Sequence, residues 1–190
     1  MPSARCWPSS QASSHNPDGV EHTRRIGFFG GSFNPIHNGH LALGRHLLAA
    51  AGLDEVWFVV SPQNPLKPAG GLLDDLLRLE MVRAALDGEP SLHACDAELS
   101  MPRPSYTWNT LCRLSAENPQ CEFTLLIGGD NWAGFADWYR HEDIAAGYRI
   151  VVYPRRGAQV DAASMPAGVT LKIMRAGKPA TVVLKGTEPR

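Results

Sequence analysis

Short apolar runs alternate along this chain with segments of helical periodicity. The runs occur at 26–29, 55–60, 91–95, 122–127 and 148–153, and each has the length and composition of a β-strand. Apolar residues at helical spacing predict helices over 41–51, 72–86 and 107–116, and a polar and aromatic helical region covers 131–146. Strands that alternate with helices predict a single α/β domain, built as a Rossmann-like, doubly wound parallel sheet.

The second predicted helix has the clearest amphipathic pattern. Leu73, Leu76 and Leu77 form its apolar side, and Glu80 and Arg83 form its polar side. An apolar stripe of this kind is typical of a helix that packs on a sheet.

The two ends of the chain lack this periodicity. Residues 1–24 are rich in Ser, Pro, Asn and His and predict a disordered extension. Residues 25–168 carry the α/β pattern, and residues 169–190 form a basic tail without a clear helix. A chain of 190 residues is long enough for one domain with its own core.

Composition narrows the classes of function. A net charge of −1 makes no electrostatic case for binding nucleic acid or a membrane surface. No apolar run is long enough to cross a membrane, and the N-terminus has no apolar signal-peptide core. The four cysteines form no CxxC pair, which indicates reduced thiols, and no His, Cys and carboxylate cluster suggests a metal site. We expect a cytoplasmic protein without a membrane or nucleic-acid partner.

The residues with the most distinctive chemistry follow the first strand. Residues 30–40 read Gly-Gly-Ser-Phe-Asn-Pro-Ile-His-Asn-Gly-His. A strand, a glycine-rich turn and a helix start present backbone N–H groups and a helix dipole to a phosphate. Gly30 and Gly31 remove side chains that would keep a phosphate away, and Gly39 leaves space for a ligand between His37 and His40. Two histidines at this spacing are more often surface or core residues, but here both can direct N–H donors at one anion.

This stretch resembles the HxGH signature of the nucleotidyltransferase superfamily, in the GGSFNPxHxGH form of bacterial nicotinate-mononucleotide adenylyltransferases. It is neither the Rossmann GxGxxG nor a P-loop, which ends in Gly-Lys-Ser/Thr. The resemblance implies adenylyl transfer from ATP to nicotinate mononucleotide, which gives nicotinate adenine dinucleotide and pyrophosphate. It implies catalytic roles for His37 and His40 and a substrate contact from Asn34. The implied ATP contacts are Gly30, Gly31, Ser32, Phe33, His37 and His40.

Two basic residues lie in loops that match the family in part. Lys67 follows Leu66, where the family often has histidine in a Pro-His-Lys sequence, so only the lysine matches. The resemblance implies that Lys67 is catalytic and supplies positive charge to the triphosphate. The segment 154–157 resembles the family's RRPG turn, which implies an ATP contact from Arg155. Without the resemblance, both residues would be read as solvated surface.

The segment 105–111 resembles the family's SYTxDTL motif, with Asn109 in place of the aspartate. The residues alone predict an amphipathic helix capped by Ser105 or Thr107. The resemblance implies that Ser105, Tyr106 and Thr107 bind the substrate. Free N–H groups at a helix start suit the carboxylate that distinguishes nicotinate from nicotinamide.

A further resemblance covers Gly128 to Trp138. In the family, an aspartate after the strand bonds a nucleotide hydroxyl, and a tryptophan eight residues later stacks on the pyridine ring. Gly128 and Asp130 are therefore implied ATP contacts, and Trp138 is an implied substrate contact. Trp132 and Tyr139 are equally well explained as core residues.

The reaction that the resemblance implies is a direct displacement, without a covalent enzyme intermediate. The ionised phosphate of the mononucleotide attacks the α-phosphorus of ATP, and Mg²⁺ is held mainly by the ATP phosphates. The family's Ser/Thr-rich motif, whose arginine contacts phosphate near the C-terminus, has no match in 171–190. Two alternatives therefore stay open, a transferase for another phosphate acceptor and a catalytically weak nucleotide-binding relative. A homo-oligomer also stays open.

Overall fold

The computed structural model describes residues 23–62, 71–154, 170–173 and 182–185, the last two ranges as backbone only. Within this part of the chain one sheet has the strand order β3-β2-β1-β4-β5-β7-β6. The first five strands are parallel, which confirms the predicted doubly wound α/β fold. The strands are β1 (Arg24–Gly31), β2 (Glu55–Val60), β3 (Leu92–Cys95), β4 (Cys121–Gly128), β5 (Arg149–Tyr153), β6 (Thr170–Ile173) and β7 (Val182–Lys185).

The helices connect the parallel strands. They are α1 (Asn38–Ala50), α2 (Asp75–Ala85), α3 (Thr107–Glu117), α4 (Gly129–Trp132) and α5 (His141–Gly147), with 3-10 turns at Ala97–Ser100 and Phe135–Asp137. The single helical region expected over 131–146 is therefore wrong, because three short elements occupy it. Arg140, which precedes α5, has φ of 55° and breaks the helical path.

The tail contributes strands that the sequence analysis missed. β7 pairs antiparallel with β5, and β6 pairs antiparallel with β7. Each of these strands is only four residues long, and β7 pairs with β5, which lies far away in sequence, so local periodicity carried little signal. The predicted extension at 1–24 lies outside the described residues except for its last two positions, and β1 already begins at Arg24.

Both faces of the central strands are covered by helices. Neighbouring residues of a strand point to opposite sides of the sheet, so each strand contributes to two core clusters. Phe28 and Trp57 belong to the cluster that includes Leu111 of α3. Phe29 and Phe58 belong to the opposite cluster, which includes the following core residues of α1 and α2: Leu47, Leu79 and Val82. Burial on both faces explains why the strands are near-continuous apolar runs.

The buried face of α2 differs from the predicted one. Leu76 and Leu77 are 66% and 49% exposed, whereas Arg78, Leu79 and Val82 are buried. The helix therefore packs through the stripe that contains Arg78. Hydrophobic periodicity did not identify this buried stripe, because one of its residues is charged.

Candidate active site

A cavity of about 860 Å³ lies at the carboxyl ends of the parallel strands. This is the edge where open α/β sheets bind ligands. Both α1 and α3 begin at its wall. The structure brings the following predicted site residues together along the cavity: Gly30, Gly31, Ser32, Phe33, Asn34, His37, His40, Ser105, Tyr106, Thr107, Gly128 and Trp138.

Of the other predicted site residues, one lies outside the cavity wall and two lie outside the described residues. Asp130 is exposed in the first turn of α4 and is not among the lining residues. Lys67 and Arg155 lie outside the described residues. The roles expected for these three side chains stay predictions.

The start of α1 is held by its two histidines. His37 is the N-cap residue, and its Nδ1 accepts a hydrogen bond from the Gly39 N–H at 3.1 Å. In return the His37 N–H donates to Nδ1 of His40 at 3.2 Å, and the two rings lie 3.9 Å apart between centroids. Since Nδ1 is an acceptor in both rings, each neutral imidazole carries its proton on Nε2. The capping box thereby selects the tautomer whose donor is Nε2–H.

The space beside Gly39 serves this cap. A Cβ atom on Gly39 would lie 2.9 Å from Cε1 and 3.0 Å from Nδ1 of His37. The glycine therefore makes room for the capping imidazole. The expectation that it also leaves space for a ligand stays a prediction.

Gly30 and Gly31 are likewise packed against aromatic rings. They form the last residues of β1, so the turn begins after them rather than with them. A Cβ on Gly30 would lie 3.0 Å from Phe28, and one on Gly31 would lie 3.1 Å from Phe33. Phe33 is buried with φ of 43°, and its ring packs edge-on to His40 at 5.2 Å. Gly31 thus makes room for the Phe33 ring that supports His40, Gly30 makes room for the Phe28 ring, and both glycines line the cavity.

A buried arginine supports the turn between β1 and α1. The side chain of Arg78 is fully buried, and its guanidinium donates to the carbonyl oxygens of Ser32, of Ser61 at 2.9 Å and of Leu73 at 3.0 Å. Asp75 balances its charge at 2.6 Å. One guanidinium therefore joins the turn between β1 and α1, the residue after β2 and the segment before α2. Sequence reasoning missed Arg78 because nothing local distinguishes it from a surface arginine.

The side chain of Asn34 ties the same turn to the segment before α2. Its Nδ2 donates to the Gly71 carbonyl at 2.8 Å, and its Oδ1 accepts from the Leu73 N–H at 3.0 Å. The amide thus has a structural use that the sequence analysis did not foresee. Its expected contact with substrate stays a prediction.

The start of α3 is built differently from that of α1. Its N-cap residue is Tyr106, whose side chain makes no capping hydrogen bond, so the predicted cap by Ser105 or Thr107 is wrong. Ser105 Oγ donates instead to Oε2 of Glu98 at 3.0 Å. Thr110 Oγ1 lies 3.0 Å from Oε1 of Glu98 and 3.2 Å from the Tyr106 carbonyl oxygen.

Glu98 is a cavity residue that sequence reasoning missed. It is only 4% exposed, and burial raises the pKa of its carboxyl although hydrogen bonds from the hydroxyls of Ser61, Thr110 and Ser105 oppose that rise. A lone glutamate before a Pro-rich segment reads as surface. The signal that could have found it is the set of hydroxyl residues that follows it.

Aromatic side chains line the part of the cavity beside α3. The rings of Tyr106 and Tyr139 lie 4.9 Å apart, and Tyr139 is 50% exposed, so it is not a core residue. Trp138 is partly buried and packs on Phe135 at 5.5 Å. Trp132, in contrast, is buried and stacks on Phe135, so it belongs to the core.

The described residues contain neither a cluster of metal ligands nor a helix that could cross a membrane. Among the described residues, no group of three or more His, Cys, Asp or Glu side chains could hold a metal ion. Within the same ranges, every helix is too short or too polar to cross a membrane.

Comparisons with known proteins agree with this architecture. The family model described as cytidylyltransferase-like matches residues 28–188. A relative from Bacteroides fragilis (strain YCH46), named "Probable nicotinate-nucleotide adenylyltransferase", is 50% identical over 145 residues, which cover 76% of this chain and 72% of the relative. A relative of the same name from Bacteroides thetaiotaomicron is 48% identical over 147 residues, with coverage of 77% and 73%.

A solved structure extends the likeness to the fold. The Plasmodium falciparum nicotinic acid mononucleotide adenylyltransferase, solved in complex with NaAD, superposes with a TM-score of 0.62 over 74% of this chain and 69% of that one. At 18% identity this likeness concerns the fold alone. The matches in sequence confirm the resemblance carried by residues 30–40. The chain therefore belongs to the cytidylyltransferase-like family and, within it, to the nicotinate-nucleotide adenylyltransferases.

Proposed function

We propose that this chain transfers the adenylyl group of ATP to nicotinate mononucleotide, which yields nicotinate adenine dinucleotide and pyrophosphate. The observation that carries the proposal is one cavity with two helix starts in its wall. His37 and His40 stand at the first helix, and the segment 105–107 with Trp138 stands at the second. The names of the relatives agree with this activity.

We assign the α1 side of the cavity to the ATP phosphates. Each neutral imidazole there has its donor on Nε2, and the positive end of the α1 dipole adds to the attraction for an anion. Arg78 holds the carbonyl of Ser32 and so fixes the path of the turn. Lys67 and Arg155 are proposed as further phosphate and nucleotide contacts.

We assign the α3 side to the pyridine ring. The side chain of the N-cap residue Tyr106 makes no capping hydrogen bond at α3. The backbone N–H groups of the first turn of α3 are therefore proposed to receive the nicotinate carboxylate. A nicotinamide group would bring N–H donors to the same place. Leaving a buried polar group unpaired costs about 1–3 kcal/mol, which is enough to discriminate the two substrates. Trp138 offers a flat apolar surface to the ring.

The chemistry asks little of the protein beyond placement. The phosphate of the mononucleotide is already ionised, so its attack on the α-phosphorus needs no general base. A bond forms between that phosphate oxygen and the α-phosphorus, and the bond to the leaving pyrophosphate breaks in line. His37 and His40 act by orienting the triphosphate and by offsetting the charge that moves to the leaving group.

Mg²⁺ is proposed to be held mainly by the ATP phosphates. The carboxyl groups that line the cavity among the described residues are those of Glu98 and Asp137, and neither belongs to a cluster of metal ligands. This donor set fits an ion that keeps most of its ligands from phosphate and water. When bound, Mg²⁺ would supply positive charge to the phosphate oxygens.

The experiment that tests the function is a pyrophosphate-release assay with ATP and a panel of phosphate acceptors. We expect turnover with nicotinate mononucleotide and at least about tenfold lower kcat/KM with nicotinamide mononucleotide. Turnover with another acceptor only, such as phosphopantetheine, would replace the proposed substrate. ATP binding without turnover of any acceptor would indicate a catalytically weak relative.

A further inference from the structure

Glu98 joins three elements at the α3 side of the cavity. It lies in the 3-10 turn Ala97–Ser100, and its carboxyl bonds Ser61, which follows β2, and Ser105 and Thr110, which flank the start of α3. All three partners are hydroxyls. The carboxyl is therefore buried without a cation to balance a negative charge among these partners.

The protons in this cluster can be counted. Glu98 makes three hydrogen-bond contacts, with Ser61, Ser105 and Thr110, and Thr110 makes a fourth with the Tyr106 carbonyl. Each hydroxyl has one proton to donate, which gives three protons for four contacts. With a proton on Oε1, Glu98 would donate to Thr110, and the Thr110 hydroxyl would then donate to the Tyr106 carbonyl, which also accepts the Thr110 N–H at 3.2 Å.

We propose that Glu98 is a positioning residue that the protein holds as a neutral carboxylic acid, and that its neutrality sets the preference of the α3 side for an anionic ring substituent. The proposal rests on the proposed function for the identity of that substituent as the nicotinate carboxylate. The neutral acid orients Ser105 and, through Thr110, the Tyr106 carbonyl. It does so without placing a negative charge beside the substrate anion.

The surroundings agree with a neutral group. Burial is the largest influence on the pKa of Glu98 and raises it. Arg113 contacts the same 3-10 turn, but its guanidinium donates to the Ala97 carbonyl and to Ser100 Oγ. The other ionisable side chains that line the cavity among the described residues are His37, His40, Tyr106, Asp137, Tyr139 and Tyr153.

Infrared difference spectroscopy tests the protonation state without any need for activity. The spectrum of the wild type minus that of Glu98→Gln at neutral pH is expected to show the C=O band of a protonated carboxylic acid. Glu122→Gln, at an exposed position, is the matched control and should show only carboxylate bands. A carboxylate band in place of the acid band for Glu98 would overturn the proposal. Circular dichroism of both variants verifies that they are folded.

Kinetics test the effect on substrate preference. The ratio of kcat/KM for nicotinate over nicotinamide mononucleotide is expected to fall in the wild type as the pH rises and Glu98 ionises. In Glu98→Gln the ratio should not change with pH and should stay within about threefold of the wild type at neutral pH. A similar fall with pH in both proteins, or a tenfold loss of the ratio in the variant at neutral pH, would overturn the proposal. If neither substrate turns over, the proposed function fails, and the infrared band still decides the state of Glu98.

Discussion

Two helices begin at the same cavity, and their starts are built in opposite ways. At α1 two imidazoles close a reciprocal cap, with hydrogen bonds of 3.1 and 3.2 Å between His37, Gly39 and His40. At α3 the N-cap residue Tyr106 makes no side-chain cap, and the nearby hydroxyl of Ser105 turns to Glu98 instead.

Under the proposed function, this difference gives one fold two kinds of anion site. At α1 the His37 and His40 side chains accept the backbone N–H groups through Nδ1 and keep Nε2–H as a donor. These donors extend beyond the backbone, which suits the large triphosphate assigned to this side. At α3 the backbone of the first turn is the donor, which suits a small planar carboxylate close to the helix. Changes at the two helix starts should therefore affect different substrates.

The largest expected effect concerns the support of the α1 side. Arg78→Ala removes a buried guanidinium that bonds the backbone of three segments and leaves Asp75 without this partner. We expect the free energy of unfolding to fall by about 3–5 kcal/mol. Arg83→Ala, on the exposed side of α2, should cost less than about 1 kcal/mol. Urea unfolding of both variants measures this, and equal losses would contradict the role of Arg78.

Replacing a histidine at α1 should affect catalysis more than stability. His40→Ala removes an Nε2–H donor, and we expect kcat/KM to fall by about 100-fold or more. The loss of half of the capping box should cost about 1 kcal/mol in unfolding free energy. His46→Ala, farther along α1, is the control and should retain activity. Comparable losses of activity and stability, both near 1 kcal/mol, would instead indicate a packing role for His40.

At the α3 side, Trp138→Ala should separate the two substrates. Loss of the ring surface is expected to raise the KM for nicotinate mononucleotide by about tenfold, since an aromatic contact contributes about 1 kcal/mol or somewhat more. The KM for ATP should change little, because ATP is assigned to the α1 side. Steady-state kinetics with each substrate varied in turn provide the check. An equal rise in both KM values would mean that the two sides are not independent.

The last prediction concerns the pH dependence of stability that Glu98 contributes. Because its pKa is raised in the folded state, the folded protein binds more protons than the unfolded chain above the ordinary carboxyl pKa. Its stabilising contribution is thus complete below that ordinary pKa and is lost as the pH rises toward the raised value. Glu98→Gln should flatten this part of the curve of unfolding free energy against pH. An unchanged slope would contradict the burial effect.

Local sequence patterns predicted the parts of the fold that depend on interactions between residues close in sequence. The strand at 55–60 was placed with its observed bounds, because a run buried on both faces is apolar throughout. The start of α3 at Thr107 was also predicted. The buried face of α2 was not, since Arg78 occupies it, and the pairing of β7 with β5 depends on contacts distant in sequence.

The site was predicted to a similar extent. A contiguous motif identified His37 and His40, and the structure adds that Gly39 accommodates the imidazole of His37. Arg78 had no sequence signal and Glu98 had only the hydroxyl residues that follow it, because the importance of both lies in burial and in partners from other elements. Residues that act by holding the backbone have no signature of their own in a single sequence.

The most direct test of the account is a crystal structure of this protein with nicotinate adenine dinucleotide. We predict that the phosphates lie within hydrogen-bond distance of Nε2 of His37 and His40, and that the pyridine carboxylate receives N–H groups from the first turn of α3 beside Trp138. A product bound with its pyridine ring at α1, or with its phosphates away from both imidazoles, would contradict the division of the cavity between two helix starts.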